Sequence, residues 1–149
     1  MNKIRPVKEI MVANPITVSP NDQLKVIYEI FQTKNIHHLP VVEGQKLVGM
    51  ISKSDLLFFL DGKIYEDQSL YARSVEKIRL NRFTAKDIMT KKLATMESIE
   101  PIRTAINLFT INKFHALPIM NNEKLVGIVT TLDLIAALDK EPIALADYN

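Results

Sequence analysis

His38-Leu39-Pro40-Val41-Val42-Glu43-Gly44-Gln45-Lys46-Leu47-Val48-Gly49-Met50-Ile51 decides how the chain is read, because it is written twice. It returns as Ala116-Leu117-Pro118-Ile119-Met120-Asn121-Asn122-Glu123-Lys124-Leu125-Val126-Gly127-Ile128-Val129. The offset of 78 positions, as from Lys46 to Lys124, holds without a gap from residues 7–57 to residues 85–135. Lys8, Ile10 and Met11 recur as Lys86, Ile88 and Met89; Thr17 recurs as Thr95, Phe31 as Phe109, and Asp55-Leu56 as Asp133-Leu134. A repeat at fixed spacing means two copies of one small unit, so any site in one copy has a twin.

Within one copy the periodicity changes along the chain. Pro15-Ile16-Thr17-Val18 is short and β-prone and reads as a strand. Ser19 then reads as an N-cap, with Pro20 at the first helical position and Asp22 closing a capping-box-like pair. Leu24, Ile27, Tyr28 and Phe31 follow at helical spacing as one buried stripe, repeated by Ile102, Ala105, Ile106 and Phe109. In the second copy Ser98 takes the N-cap and Pro101 the first turn. Leu39-Pro40-Val41-Val42 reads as a strand with Pro40 at its start or edge, since proline has no ladder donor. Glu43-Gly44-Gln45 turns the chain, as Asn121-Asn122 does later, asparagine tolerating positive φ. A nearly all-apolar strand from Lys46 to Ile51 returns, and Ser52-Lys53-Ser54-Asp55 opens a second helix. One copy is therefore strand, helix, strand, strand, helix, an α/β unit.

The expected organisation is a first repeat over residues 1–60 and a charged bridge over 61–82 with a short helix. A second repeat over 83–140 follows, and a tail over 141–149 that frays. Each copy has about 50 residues, a size at which a lone core is marginal, so two copies sharing one core is the expected solution. The 149 residues are 47% apolar, in the range of ordinary globular proteins. The chain has no cysteine, hence no disulfide framework and no thiolate metal site, which points to the cytoplasm. Met1-Asn2-Lys3-Ile4-Arg5-Pro6 lacks the apolar core of a signal peptide. No apolar run approaches the roughly 20 residues of a membrane-spanning helix. The net charge of +2 is dispersed. Arg73, Lys77, Arg79 and Arg82 are interrupted by Glu76 and read as a solvated helix face rather than a nucleic-acid surface.

The chemistry concentrates in Gly49-Met50-Ile51-Ser52-Lys53-Ser54-Asp55 and its twin Gly127-Ile128-Val129-Thr130-Thr131-Leu132-Asp133. On the structural account, Ser52 and Thr130 cap helices and Asp55 and Asp133 complete capping boxes. On the binding account, a strand ending at a helix N-terminus aims free amides and a positive dipole end at an anion such as phosphate. The hydroxyl donates to that phosphate, Gly49 and Gly127 let a ligand approach the backbone, and the carboxylate suits a ribose diol. The two accounts are compatible. His37 and His115 are equivalent, with His38 adjacent, and each precedes the Leu-Pro strand. A protonated histidine there would supply a cation beside phosphate, whereas a metal site lacks a second ligand at helical spacing.

Together these residues resemble the cystathionine-β-synthase (CBS) domain family in its tandem-pair form. The marks are Ile10-Met11, Pro15-Ile16-Thr17-Val18, His38-Leu39-Pro40-Val41-Val42 and Leu47-Val48-Gly49-Met50-Ile51-Ser52 ending at Asp55. The second copy supplies Asp87-Ile88-Met89, Leu117-Pro118-Ile119 and Leu125-Val126-Gly127-Ile128-Val129-Thr130 ending at Asp133. The resemblance implies two tandem β-α-β-β-α repeats packed sheet to sheet with pseudo-two-fold symmetry, commonly dimerised. It implies clefts for adenosine-containing ligands: AMP, ADP, ATP or S-adenosylmethionine. Ser52 and Asp55, and Thr130 and Asp133, would take phosphate and ribose, with Ser54 as a further hydroxyl where the second copy has Leu132. The base would lie against the early strand of the partner repeat, Thr95 and Met96 serving the Asp55 site and Thr17 and Val18 the Asp133 site. The position of His37 and His115 carries a basic phosphate contact in a related kinase regulatory subunit. Where many members have arginine, this chain has His38 or Ala116.

The expected function is thus a cytoplasmic, non-enzymatic sensor of an adenine nucleotide or S-adenosylmethionine. It would have no obligatory cofactor or metal, would act as a homodimer or on an effector protein, and would touch neither nucleic acid nor membrane. The alternatives are a ligand-free dimerisation scaffold and a hydrolase or transferase; the last has neither a cysteine nucleophile nor a metal cluster to support it.

Overall fold

The computed structural model describes residues 1–61, 70–112 and 114–140, so the expected fraying of 141–149 lies outside the described residues. The chain forms two compact units, each discontinuous in sequence. One takes Met1–Pro15 together with Ala94–Asn149, the other Ile16–Leu93. The segment that leads each copy therefore packs on the other copy.

In the Ile16–Leu93 unit, helix α1 (Leu24–Thr33) buries Leu24, Ile27 and Phe31, the stripe expected from the spacing. Strands β2 (His38–Glu43) and β3 (Lys46–Ser52) form an antiparallel pair, followed by helix α2 (Lys53–Asp61). Single bridges flank the pair, Val18 beside Val41 and Thr90 beside Met50. The expected strand at 15–18 is reduced to that one bridge. Pro40 lies inside β2, and its carbonyl accepts from Val18 N (3.1 Å). Because the Val18 bridge is isolated, the missing proline donor interrupts no ladder. The bridge segment contains α3 (Leu70–Arg82), then the short α4 (Ala85–Ile88). Arg79 fixes α3 to the end of α2 by donating to the carbonyls of Phe59 (2.6 Å) and Leu60 (2.9 Å).

The other unit repeats the plan. Its sheet runs β1 (Val12–Ala13), β6 (Lys124–Thr130), β5 (Ala116–Asn121), β4 (Met96–Glu97), with α5 (Ile102–Asn112) and α6 (Thr131–Asp139). The β5–β6 turn places Asn122 at φ 55°, and the β2–β3 turn places Gly44 at φ 64°, the left-handed region those residues tolerate.

Both leading segments are held by the same backbone bonds. Val7 N donates to Glu100 O (2.8 Å) and Ile102 N to Arg5 O (2.9 Å); their twins are Ala85 N to Asp22 O (2.9 Å) and Leu24 N to Phe83 O (2.9 Å). These bonds correct the expected helix starts. Helix α1 begins at Leu24, not after Ser19, and α5 begins at Ile102, beyond Pro101. Ser19 N still donates to Asp22 Oδ2 (2.8 Å), but the pair closes a turn. The residues before each helix are occupied in pairing with the exchanged segment, which overrides the local capping signal.

The single shared core is likewise corrected. Two buried clusters form, one holding Leu24, Ile27, Leu39, Ile51 and Leu56, the other Met96, Ala105, Leu117, Ile119 and Val129. Each is completed by a residue of the leading segment, Ala85 in the first and Val7 in the second. A small unit thereby gains the apolar area it lacks alone.

The glycines have a structural reason. A Cβ on Gly49 would stand 2.5 Å from Met89 Sδ, and one on Gly127 would collide with Met11 Sδ. The space beside each glycine is filled by a methionine of the exchanged segment, so the expected ligand approach there is corrected. Gly49→Ala is expected to cost about 1–3 kcal/mol by overpacking. In a double-mutant cycle with Met89→Ala, measured by denaturant unfolding, the two losses should be non-additive. Simple additivity would contradict the contact.

Candidate functional site

The corner between β3 and α2 is built by reciprocal capping. Asp55 N donates to Ser52 Oγ (3.0 Å) and Ser52 N donates to Asp55 Oδ2 (3.4 Å). The Ser52 and Ser54 hydroxyls lie 3.1 Å apart. Strand pairing sets half-buried His38 opposite Ser52, and the His37 carbonyl accepts from Lys53 N (2.8 Å). One end of the β2–β3 pair thus gathers His37, His38, Ser52, Ser54 and Asp55, five residues singled out from sequence. Val18 sits one strand away, its N–H and carbonyl both engaged by β2, with Thr17 exposed beside it.

The β6–α6 corner is the same device, drawn tighter. Asp133 Oδ2 accepts from Thr130 N (2.7 Å) and from Thr130 Oγ1 (2.7 Å), while Asp133 N donates back to Thr130 Oγ1 (3.3 Å). The His115 carbonyl accepts from Thr131 N (3.3 Å), and Ala116 pairs with Thr130. The second copy thus repeats the placement of His37, Ser52 and Asp55 with His115, Thr130 and Asp133. At the place of Ser54 it presents Leu132, 63% exposed. A ligand would have to break a bond to recruit the Thr130 hydroxyl proton, whereas the single bond between Ser52 and Ser54 uses only one of their two hydroxyl protons.

Two of the singled-out side chains belong to the core. Val18 and Met96 are 4% and 2% exposed, so only their backbone edges could meet a ligand. Thr17 and Thr95 are exposed. A further hydroxyl and acid pair lies outside those read from the sequence: Thr84 and Asp87 form a capping box at α4, with Thr84 N donating to Asp87 Oδ2 (2.8 Å). Its signal was legible, because Thr84 stands three residues before Asp87. Among the described residues no group of three His, Cys, Asp or Glu could hold a metal ion. No helix among them is long and apolar enough to cross a membrane.

The cap geometry carries a stability prediction. Thr130→Ala should cost about 1 kcal/mol, read by thermal or denaturant unfolding, and Thr130→Ser should recover most of it. An unchanged midpoint in Thr130→Ala would contradict the capping role.

Comparison with known proteins agrees with this architecture. The CBS domain model matches residues 7–62 and again 85–140. Inosine-5'-monophosphate dehydrogenase of Methanocaldococcus jannaschii is 30% identical over 134 residues, covering 89% of this chain and 23% of the enzyme. The chain spans less than half the length of the first curated relatives it matches. Among solved structures, CBSX2 in complex with AMP is similar at 26% identity with a TM-score of 0.74, covering 91% of this chain and 97% of that one. The CBS domain pair of protein MJ0100, in complex with 5'-methylthioadenosine and S-adenosyl-L-methionine, is similar at 26% identity with a TM-score of 0.70, covering 89% of this chain and 98% of that one. Two family matches, two units of one plan and the duplicated corner lead to one conclusion: the chain belongs to the CBS domain family.

Proposed function

We propose that this chain is a regulatory module that binds an adenosine-containing ligand and passes the bound state to a second copy or an effector protein. The observation that carries the reading is the duplicated corner, where a hydroxyl and an acid cap a helix whose first amide is held by the backbone carbonyl of a histidine. Helix N-termini favour phosphate, and acids favour ribose hydroxyls. Similarity to CBSX2, solved with AMP, and to MJ0100, solved with S-adenosyl-L-methionine, supports an adenosine ligand. In this reading Ser52, Ser54 and Asp55 serve one ligand and Thr130 and Asp133 another. Thr95 and the backbone of Met96 take the base at the first, Thr17 and the backbone of Val18 at the second. His37, His38 and His115 stand by phosphate. Ligand binding regulates only if two conformations differ in affinity. The reading assigns no catalysis to the chain.

A second reading, a dimerisation scaffold, is favoured by the outer face of α6. Leu132, Ile135 and Leu138 are 63%, 61% and 51% exposed there, and Phe58 on α2 is 75% exposed. Apolar side chains exposed along one helix, as on α6, mark an interaction face.

Calorimetric titration with AMP, ATP and S-adenosylmethionine separates the readings. The sensor binds at least one of them, and Asp55→Ala with Asp133→Ala weakens that binding at least about tenfold, the measure of about 1.4 kcal/mol in lost contacts. The double variant should remain folded, each lost cap costing about 1 kcal/mol. No heat with any of the three at millimolar concentration would overturn the sensor. In sedimentation, Ile135→Glu with Leu138→Glu should convert a dimer to a monomer; an unchanged species would remove α6 from the interface.

A further inference from the structure

The two units differ most beside their last helices. In the Ile16–Leu93 unit the space next to α2 is filled by two rings, Phe59 and Phe83, packed edge to face with centroids 5.0 Å apart. Arg79 of α3 lies 5.8 Å over the Phe59 ring. At the repeat offset, Phe59 becomes Ala137 and Phe83 becomes Arg5. The small side chain leaves room, and Arg5 at the wall is engaged by Glu9, donating from Nε to its carboxylate at 2.6 Å. What remains beside α6 is a cavity of about 380 Å³ lined by Ile10, Met11, Ile102, Ala137 and Lys140 among others.

We propose that this cavity is a small-molecule site for an aromatic carboxylate, adjoining the sugar-phosphate corner through Asp133. Its volume falls in the range of ligand pockets. The other copy provides the template for the guest: aromatic rings with a cation beside them, in the equivalent place. The lining is suited to a ring, with half-buried Ile10 over the buried Ile102 for apolar contact and the Met11 thioether for a sulfur–aromatic contact. The charges select an acid. Arg5 and Glu9 satisfy each other, and the Asp133 carboxylate at the wall accepts from Thr130. The Lys140 ammonium has no partner among the described residues, so it is available for a charge-assisted bond to a guest carboxylate.

The test uses the full chain labelled at methionine and isoleucine methyl groups, titrated with benzoate and followed by NMR. Saturable shifts at Met11, Ile10 and Ile102 are expected in the millimolar range. Ala137→Phe, which restores the ring of the other copy, should abolish them; Ala137→Leu serves as a smaller filler if the ring disturbs folding. Lys140→Gln should weaken benzoate about tenfold, the loss of one charge-assisted contact. Benzyl alcohol, equal in shape but neutral, should bind correspondingly worse. Absence of saturable shifts, or shifts that persist unchanged in both Ala137 variants, would overturn the site. Equal affinity for benzoate and benzyl alcohol would overturn the assignment of a carboxylate.

Discussion

The contact of a methionine with a glycine, made once in each unit, holds this architecture together. Met89 packs on Gly49 and Met11 on Gly127, so the leading segment of each copy lies flat on the strand of the other. The backbone bonds from Val7 and Ala85 extend that contact into the start of each first helix. A thioether is well chosen here, because its flexibility lets it fill an irregular gap over bare backbone. A Cβ would force the segment away and uncouple it from the sheet. Neither copy is then an independent unit, since each core needs a residue from the other's leading segment.

That exchange has a consequence for the corners. The strand that ends at Ser52 or Thr130 is flanked by the exchanged segment through Thr90 or Val12. The hydroxyl, acid and histidine are therefore presented by a sheet whose edge belongs to the other copy. Capping fixes the rotamers of Asp55 and Asp133 without a ligand, which lowers the ordering cost of binding one. The corners are not equal. Ser52 and Ser54 pair with each other, while the Thr130 hydroxyl is bound twice to Asp133 and an exposed leucine takes the place of Ser54.

Much of this was legible in the sequence because it is set by local forces. The stripe of Leu24, Ile27 and Phe31, the Asn122 turn, the helix in the bridge and the capping pairs all follow from spacing within a few residues. The exchange was not legible. Nothing near Ser19 announces that Asp22 will bond to Ala85, so the local signal puts the helix start four residues early. Gly49 pointed to a ligand because Met89, the residue that needs the space, lies far along the chain. Val18 and Met96 look like ligand contacts in the sequence, yet in extended backbone successive side chains alternate in face, and these two are the inward ones. The corners were found because duplication singles them out, although Thr84 and Asp87 use the same device as a cap alone.

The exchange can be read directly from proton–proton contacts in solution. Nuclear Overhauser effects between the Met89 methyl and Gly49 Hα, and between the Met11 methyl and Gly127 Hα, test it most simply. The account predicts both. Effects from Met11 to Gly49 and from Met89 to Gly127 would mean that each copy folds on its own leading segment, and would contradict it.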